Sequence, residues 1–267
     1  MRTISPEILA RIDNRLYDDR AGEWWDPESS FYQMKVSFNP GRMGYAKKVI
    51  AGRMGSRLAG KTALDVGCGG GYLTEEIARL GFAATGVDPS EPSLRAASAH
   101  AGDQGLGIRY VRGAGEDLPF ETGAFDAVFC CDVLEHVRDL DRVVSEIARV
   151  LKPGGVFYYD TINRTLLSRL VAIKICQEWK RWAFMPPRLH VWGMFIKPRE
   201  LRAVLARNGL EWHRHRGLVP GVSWLKLPGY LRKRARGEWT LSDLSRRVTM
   251  VEGRLTAVMY MGYAVRT

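Results

Sequence analysis

The chain is poor in several features that would settle its class early. Its 267 residues hold only four cysteines, Cys68, Cys130, Cys131 and Cys176. Their spacing matches no disulfide framework, and Cys130 and Cys131 fall in a strand-like run where neighbours face opposite ways. A reduced, cytoplasmic protein is expected. No apolar stretch approaches the length of a membrane span. No apolar run follows a basic start, so no signal peptide is expected. Internal repeats and low-complexity tracts are also absent, which argues against solenoids and disordered linkers.

Acidic residues are scarce in one part of the chain. Met1 to Asp160 carries 19 Lys+Arg and 23 Asp+Glu, a net −4, whereas Thr161 onward carries 21 and 6, a net +15. Any basic partner surface therefore belongs to the C-terminal part. An anionic membrane surface, a nucleic acid, an acidic substrate or simply a solvated basic face would each account for it. The length and the 46% hydrophobic content suffice for one α/β domain with an appended cap.

Short apolar runs alternate with helical patterns. Thr62 to Val66, Ala83 to Val87, Ile108 to Val111, Phe125 to Val133 and Val156 to Tyr159 read as strands. Tyr72 to Leu80 and Leu140 to Leu151 read as helices, the second broken by Lys152-Pro153-Gly154-Gly155. This alternation predicts a doubly wound, mostly parallel Rossmann-like sheet of seven strands. Four segments are expected: an N-terminal helical cap (1–60), the core (61–163), an inserted helical lid (164–196) and a C-terminal completion of the sheet (197–267). In that last part a strand starts at Leu210, Arg232 to Arg236 is a basic loop, and Thr256 to Val265 closes the sheet.

Leu64-Asp65-Val66-Gly67-Cys68-Gly69-Gly70-Gly71 follows the first strand and opens a helix. Glycines there, Gly67, Gly69 and Gly71 among them, permit a tight turn and a close backbone approach to a ligand. Asp88 ends the next strand, where an acidic side chain reaches a ribose diol. A dinucleotide fingerprint would need glycine where Tyr72 stands. Asp65 before the loop suits a cationic ligand better than a pyrophosphate, which favours S-adenosylmethionine (SAM). Glu116, in Gly113 to Phe120 after the third strand, would border the adenine or lie in a solvated loop.

Together with Phe125-Asp126-Ala127-Val128, these motifs resemble the class I SAM-dependent methyltransferases. Within them the chain is similar to the UbiG family of ubiquinone-biosynthesis O-methyltransferases. That resemblance rests on Trp24-Trp25-Asp26-Pro27-Glu28, Asn39-Pro40-Gly41-Arg42, Leu134-Glu135-His136-Val137, Leu151 to Gly155, Thr161-Ile162-Asn163-Arg164 and Phe195-Ile196-Lys197-Pro198. It implies that Arg42, Gly67, Asp88 and Cys131 contact SAM, with Arg42 meeting its carboxylate. It also implies a divalent metal such as Mg²⁺ held by Asp132, Glu135 and His136, although the family has Glu where Asp132 stands. The alternative is a pocket lined by Glu135 and His136 without metal. Beyond Arg188 the family pattern fades, so the acceptor site has diverged.

Methyl transfer to a phenol or catechol needs a base or a metal, because a phenol with pKa ~10 is mostly protonated at neutral pH. His136 is the first candidate base and His190 the second. His213 and His215 are expected to be structural, and His100 to lie at the surface. In the insertion Leu167, Val171, Ile175, Trp179 and Trp182 recur at helical spacing among Arg169, Lys174, Lys180 and Arg181. Such a segment would pack on the core as a lid or rest peripherally on the inner face of a membrane, as the family resemblance implies. The expected activity is O-methylation of a small, apolar or prenylated aromatic hydroxyl such as a quinone precursor. The rivals are methylation of another small metabolite, or RNA methylation on the basic part; nucleic acid is the less favoured partner, since no RNA-binding module is recognisable. The oligomeric state is open.

Overall fold

The computed structural model describes residues 4–267; residues 1–3 of the expected cap lie outside it. Eight strands form one sheet: β1 (Thr62–Val66), β2 (Ala83–Asp88), β3 (Arg109–Arg112), β4 (Phe125–Cys131), β5 (Leu151–Ile162), β6 (Leu210–Pro220), β7 (Met250–Gly253) and β8 (Met259–Arg266). Their order is β3-β2-β1-β4-β5-β8-β6-β7. β1 to β5 are parallel, and β8 lies antiparallel between β5 and β6. The strand order reverses beside β1, so the crevice at the carboxyl ends of β1 and β4 is the natural ligand site of such a sheet.

The central strands are buried on both faces, and their period of two sorts the side chains into two cores. Phe129 and Tyr158 join Ala46, Val49 and Ile77 on one face. Val128, Phe157 and Tyr159 join Ile147 and Leu201 on the other. The helices Asn39–Met54 and Tyr72–Arg79 thus cover one side, and Leu140–Val150 and Pro198–Arg207 cover the other.

The sheet carries one strand more than expected. β7 pairs antiparallel with β6 at the edge, so the last strand is internal and does not close the sheet. Arg232 to Arg236 is no loop: it is the end of a helix, Leu227–Ala235, with Arg236 as its C-cap. Basic side chains in a last turn complement the helix dipole, which explains why a basic run ends a helix here. The insertion begins at a helical turn, Leu166–Ser168, capped by Thr165, and continues as a π-helix, Arg169–Glu178. His100 is half-buried, hydrogen-bonded to Glu75 and stacked on Trp25. His215 bonds Tyr159 and Trp212, a structural role.

Candidate active site

The glycine loop joins β1 to the helix Tyr72–Arg79. Gly67, Gly69 and Gly71 all take positive φ, which only glycine adopts without strain. The tightness serves packing as well as ligand approach. A Cβ on Gly69 or Gly70 would lie 2.5 and 2.4 Å from the Trp24 ring, and one on Gly67 would lie 2.4 Å from Val133. Trp24 therefore covers the loop, tied by its indole N–H to Ser93 Oγ at 2.9 Å, and Trp25 donates to the Gly70 carbonyl at 3.1 Å.

Two carboxylates flank the loop. Asp88 accepts from the Gly69 amide at 2.9 Å and the Ser90 amide at 2.8 Å. Asp65 accepts from Thr74 Oγ1 at 2.7 Å. Burial raises both, Asp65 to about 7 and Asp88 to about 6. Neither has an ion-pair partner among the described residues. Two carboxylates beside the crevice, neither in a direct ion pair, fit a ligand carrying sulfonium and ammonium charge and disfavour a pyrophosphate.

Arg42 is buried, and its guanidinium bonds Asp160 through Nε and Nη2 and Asp132 through Nη2. Its Nη1 reaches only Asn39 Oδ1, at 3.5 Å, which leaves that nitrogen as the donor for a ligand carboxylate. Gly41 makes this placement possible, because a Cβ there would meet the Met250 carbonyl oxygen at 2.6 Å. Asp160, at the carboxyl end of β5, also accepts from the Asp132 amide at 3.0 Å. Asp132 itself sits at φ 54, a left-handed conformation that Asp tolerates better than most residues. Cys131, half-buried, ends β4 opposite Asp160. Glu116, half-buried in the loop after β3, accepts from the Arg138 amide at 3.1 Å through Oε1.

Past β4 the chain brings Glu135, His136 and His190 together, with one potential ligand atom of each within 4.8 Å of the others. Asp132, expected in this set, is held instead by Arg42, and its place is taken by His190 from the insertion. Glu135 Oε2 accepts from Thr161 Oγ1 at 2.7 Å, while Glu135 Oε1, His136 Nδ1 and His190 Nδ1 are buried without hydrogen-bond partners. Burial, reinforced by Asp132, raises the Glu135 carboxyl. Burial, with His190 adding to it, lowers His136 to about 3, and burial lowers His190 to about 4. Both imidazoles are therefore neutral at pH 7, with lone pairs available.

Beside them opens a cavity of about 440 Å³. Its walls include Tyr17, Phe31, Phe38, Leu167, Val171 and Ile175, and Asp132, His136 and His190 stand at its polar end. Four members of the expected insertion stripe, Leu167, Val171, Ile175 and Trp182, line it. Trp179 does not, standing 45% exposed beyond the helix end. Sequence reasoning missed Tyr17, Phe31, Thr161 and Asp160. Asp160 had a signal, since it is the acidic residue ending a central strand at the crevice.

A doubly wound sheet with this strand order, a glycine loop after β1 and an acid ending β2 is the fold of a class I SAM-dependent methyltransferase. The model of the methyltransferase domain matches residues 64–159. Solved structures share the fold at low identity. They include a SAM-dependent methyltransferase from Thermotoga maritima described as a possible histamine N-methyltransferase (17% identity, TM-score 0.59, covering 98% of this chain and 99% of that one). Another is a SAM-dependent methyltransferase from Aquifex aeolicus (14% identity, TM-score 0.57, 94% and 98%). Among sequences, the ubiquinone biosynthesis O-methyltransferase of Caulobacter vibrioides is 44% identical over 212 residues, 76% of this chain and 81% of that protein. That of Maricaulis maris is 40% identical over 196 residues, 72% and 76%. The chain belongs to the ubiquinone biosynthesis O-methyltransferase family and is a SAM-dependent O-methyltransferase.

Proposed function

We propose that the chain methylates a catechol or phenol hydroxyl of a quinone precursor carrying an apolar, prenyl-like tail. The observation that carries this is the apolar cavity meeting two neutral histidines beside the cofactor crevice. A ring-bearing tail would bury itself there, and the polar end would receive the hydroxyl. The relatives' names, ubiquinone biosynthesis O-methyltransferase, agree with such an acceptor.

SAM supplies an electrophilic methyl group. The chain's residues do the rest. Asp88 holds the ribose, Asp65 balances positive charge, and Trp24 and the N-terminal segment exclude water from the crevice. His136 Nδ1, buried without a partner, would take the phenolic proton as the methyl group is transferred. His190 is the second acceptor. Holding both reactants in one crevice supplies alignment, the main source of acceleration in such transfers. The orphaned atoms of Glu135, His136 and His190 also fit a divalent ion. Two imidazoles and one carboxylate suit zinc or another transition metal better than Mg²⁺. Bound there, such an ion would lower the pKa of a hydroxyl on the acceptor.

The cavity rim is the region proposed to meet an anionic membrane. No helix of the described residues is long and apolar enough to cross one. Yet Leu166 is 76% and Leu225 91% exposed on the insertion and the C-terminal part, with Arg164 and Arg169 flanking the first in sequence and Lys226 next to the second. An apolar rim with basic residues is suited to interfacial contact. The test of acceptor class is a panel of catechols with tails of increasing length, assayed with SAM beside amines and RNA. Rates rising with tail length support the proposal; methylation confined to amines or RNA overturns it.

A further inference from the structure

Tyr17 belongs to neither the glycine loop nor the histidine pair, yet it borders both. The N-terminal segment carries it. The Tyr17 carbonyl accepts from Ser93 Oγ at 3.1 Å, the same hydroxyl that receives the Trp24 indole N–H. Upstream, Asn14 Nδ2 donates to the His136 carbonyl at 3.2 Å. Arg188 of the insertion donates to the Ala10 carbonyl at 2.7 Å and the Arg11 carbonyl at 3.1 Å, and its own carbonyl accepts from the Asp13 amide at 3.1 Å. The segment is thus fastened at both ends of the crevice, with Tyr17 between.

The ring is fixed as well. It stacks on Phe31 at 5.7 Å and on Trp24 at 6.2 Å, and meets the His136 ring edge-on at 6.0 Å. Its hydroxyl forms no hydrogen bond among the described residues, although the side chain lines the acceptor cavity. A rigidly held phenol donor with no protein acceptor, at the wall between two ligand pockets, is placed to serve a ligand. A phenol with pKa ~10 is protonated at neutral pH, so its hydroxyl can donate to a developing oxyanion.

We infer that Tyr17 is a substrate-contacting residue whose hydroxyl donates a hydrogen bond to the acceptor oxygen, selecting which hydroxyl of a catechol stands in line with the cofactor methyl. This rests on the O-methylation proposed above. The geometry divides the labour. His136 takes the proton of the attacking hydroxyl, and the Tyr17 hydroxyl beside it fixes the lone-pair direction. In an unsymmetrical catechol the two neighbouring hydroxyls compete for one in-line position. A fixed donor breaks that tie, whereas an apolar wall leaves tail packing to decide.

The test is Tyr17→Phe, which keeps the ring stack and removes one oxygen. Wild type and variant are assayed with SAM and an unsymmetrical, short-tailed catechol, and the two monomethyl products are separated. The expected result is a fall in kcat/KM of about tenfold to a hundredfold, the scale of one lost hydrogen bond to a charged group. The product ratio should move toward an even mixture. Affinity for the demethylated cofactor product by calorimetry, and the melting temperature, should stay within error of wild type. Those two readouts separate loss of a substrate contact from loss of structure. A variant with wild-type rate and product ratio overturns the role of Tyr17 while leaving the proposed activity intact. A wild-type chain inert toward every catechol overturns both.

Discussion

At the scale of single residues, the site is built by withholding partners from buried polar groups. Among the described residues Asp65 and Asp88 have no ion-pair partner, and the Nδ1 atoms of His136 and His190 have no hydrogen-bond partner. Such groups cost folding free energy and are retained where a ligand completes them. The raised carboxyls give a testable sign. Between the usual carboxylate range and about 6 to 7, the folded chain holds protons on Asp65 and Asp88 that the unfolded chain has released, so these two groups lower stability as pH rises through that window. Binding of a cation favours their ionised forms. SAM affinity by calorimetry should therefore strengthen from about pH 5 to about pH 8 and then level. The demethylated product, lacking the sulfonium charge, should show a shallower slope. Asp88→Ala should weaken SAM binding by about 1–3 kcal/mol through lost ribose hydrogen bonds; unchanged affinity would place the ribose elsewhere. The proton acceptor is tested by His136→Ala, which should cut turnover by about 10²–10⁴ while sparing SAM binding. Turnover at the wild-type rate in that variant would pass the role to His190.

At the scale of elements, the N-terminal segment is what the sequence disclosed least. The strands around the glycine loop were legible because apolar runs, glycines and Asp88 obey short-range rules. Trp24 and Trp25 were visible only as a motif. That they lie across Gly69 and Gly70 depends on a contact spanning some forty-five positions, which no local pattern encodes. The same holds for Tyr17 against His136. The resemblance groups Asp132 with Glu135 and His136; in the fold Arg42 bonds Asp132, and His190 from the insertion joins Glu135 and His136. β7 escaped notice because four residues at a sheet edge carry too little periodicity. The packing of Trp24 makes its own prediction. Trp24→Ala should destabilise the fold by about 3–5 kcal/mol, as expected for deleting a buried aromatic, read from the urea midpoint. If the cost is below about 1 kcal/mol, the segment is dispensable to the loop and the roof over the crevice is not a structural element.

At the scale of the whole molecule, the basic part of the chain is also the part that walls most of the acceptor cavity. The part of the chain with net charge +15 supplies the insertion, the helix Leu227–Ala235 and most of the cavity's outer wall. Leu225, 91% exposed, is not among the cavity's lining residues, so it separates surface contact from acceptor binding. If the rim rests on an anionic bilayer, the chain should co-float with vesicles containing phosphatidylglycerol and not with purely zwitterionic ones. The electrostatic share should vanish near 1 M salt, where the Debye length is about 3 Å. Leu225→Glu should reduce flotation at low salt by adding a charge where an apolar side chain would enter the interface. Its methylation of a short-tailed catechol in solution should match wild type, while its rate on a long-tailed acceptor delivered in vesicles should fall. Equal flotation of variant and wild type, or binding insensitive to lipid charge, would assign the exposed leucines and the basic surface to some purpose other than a membrane.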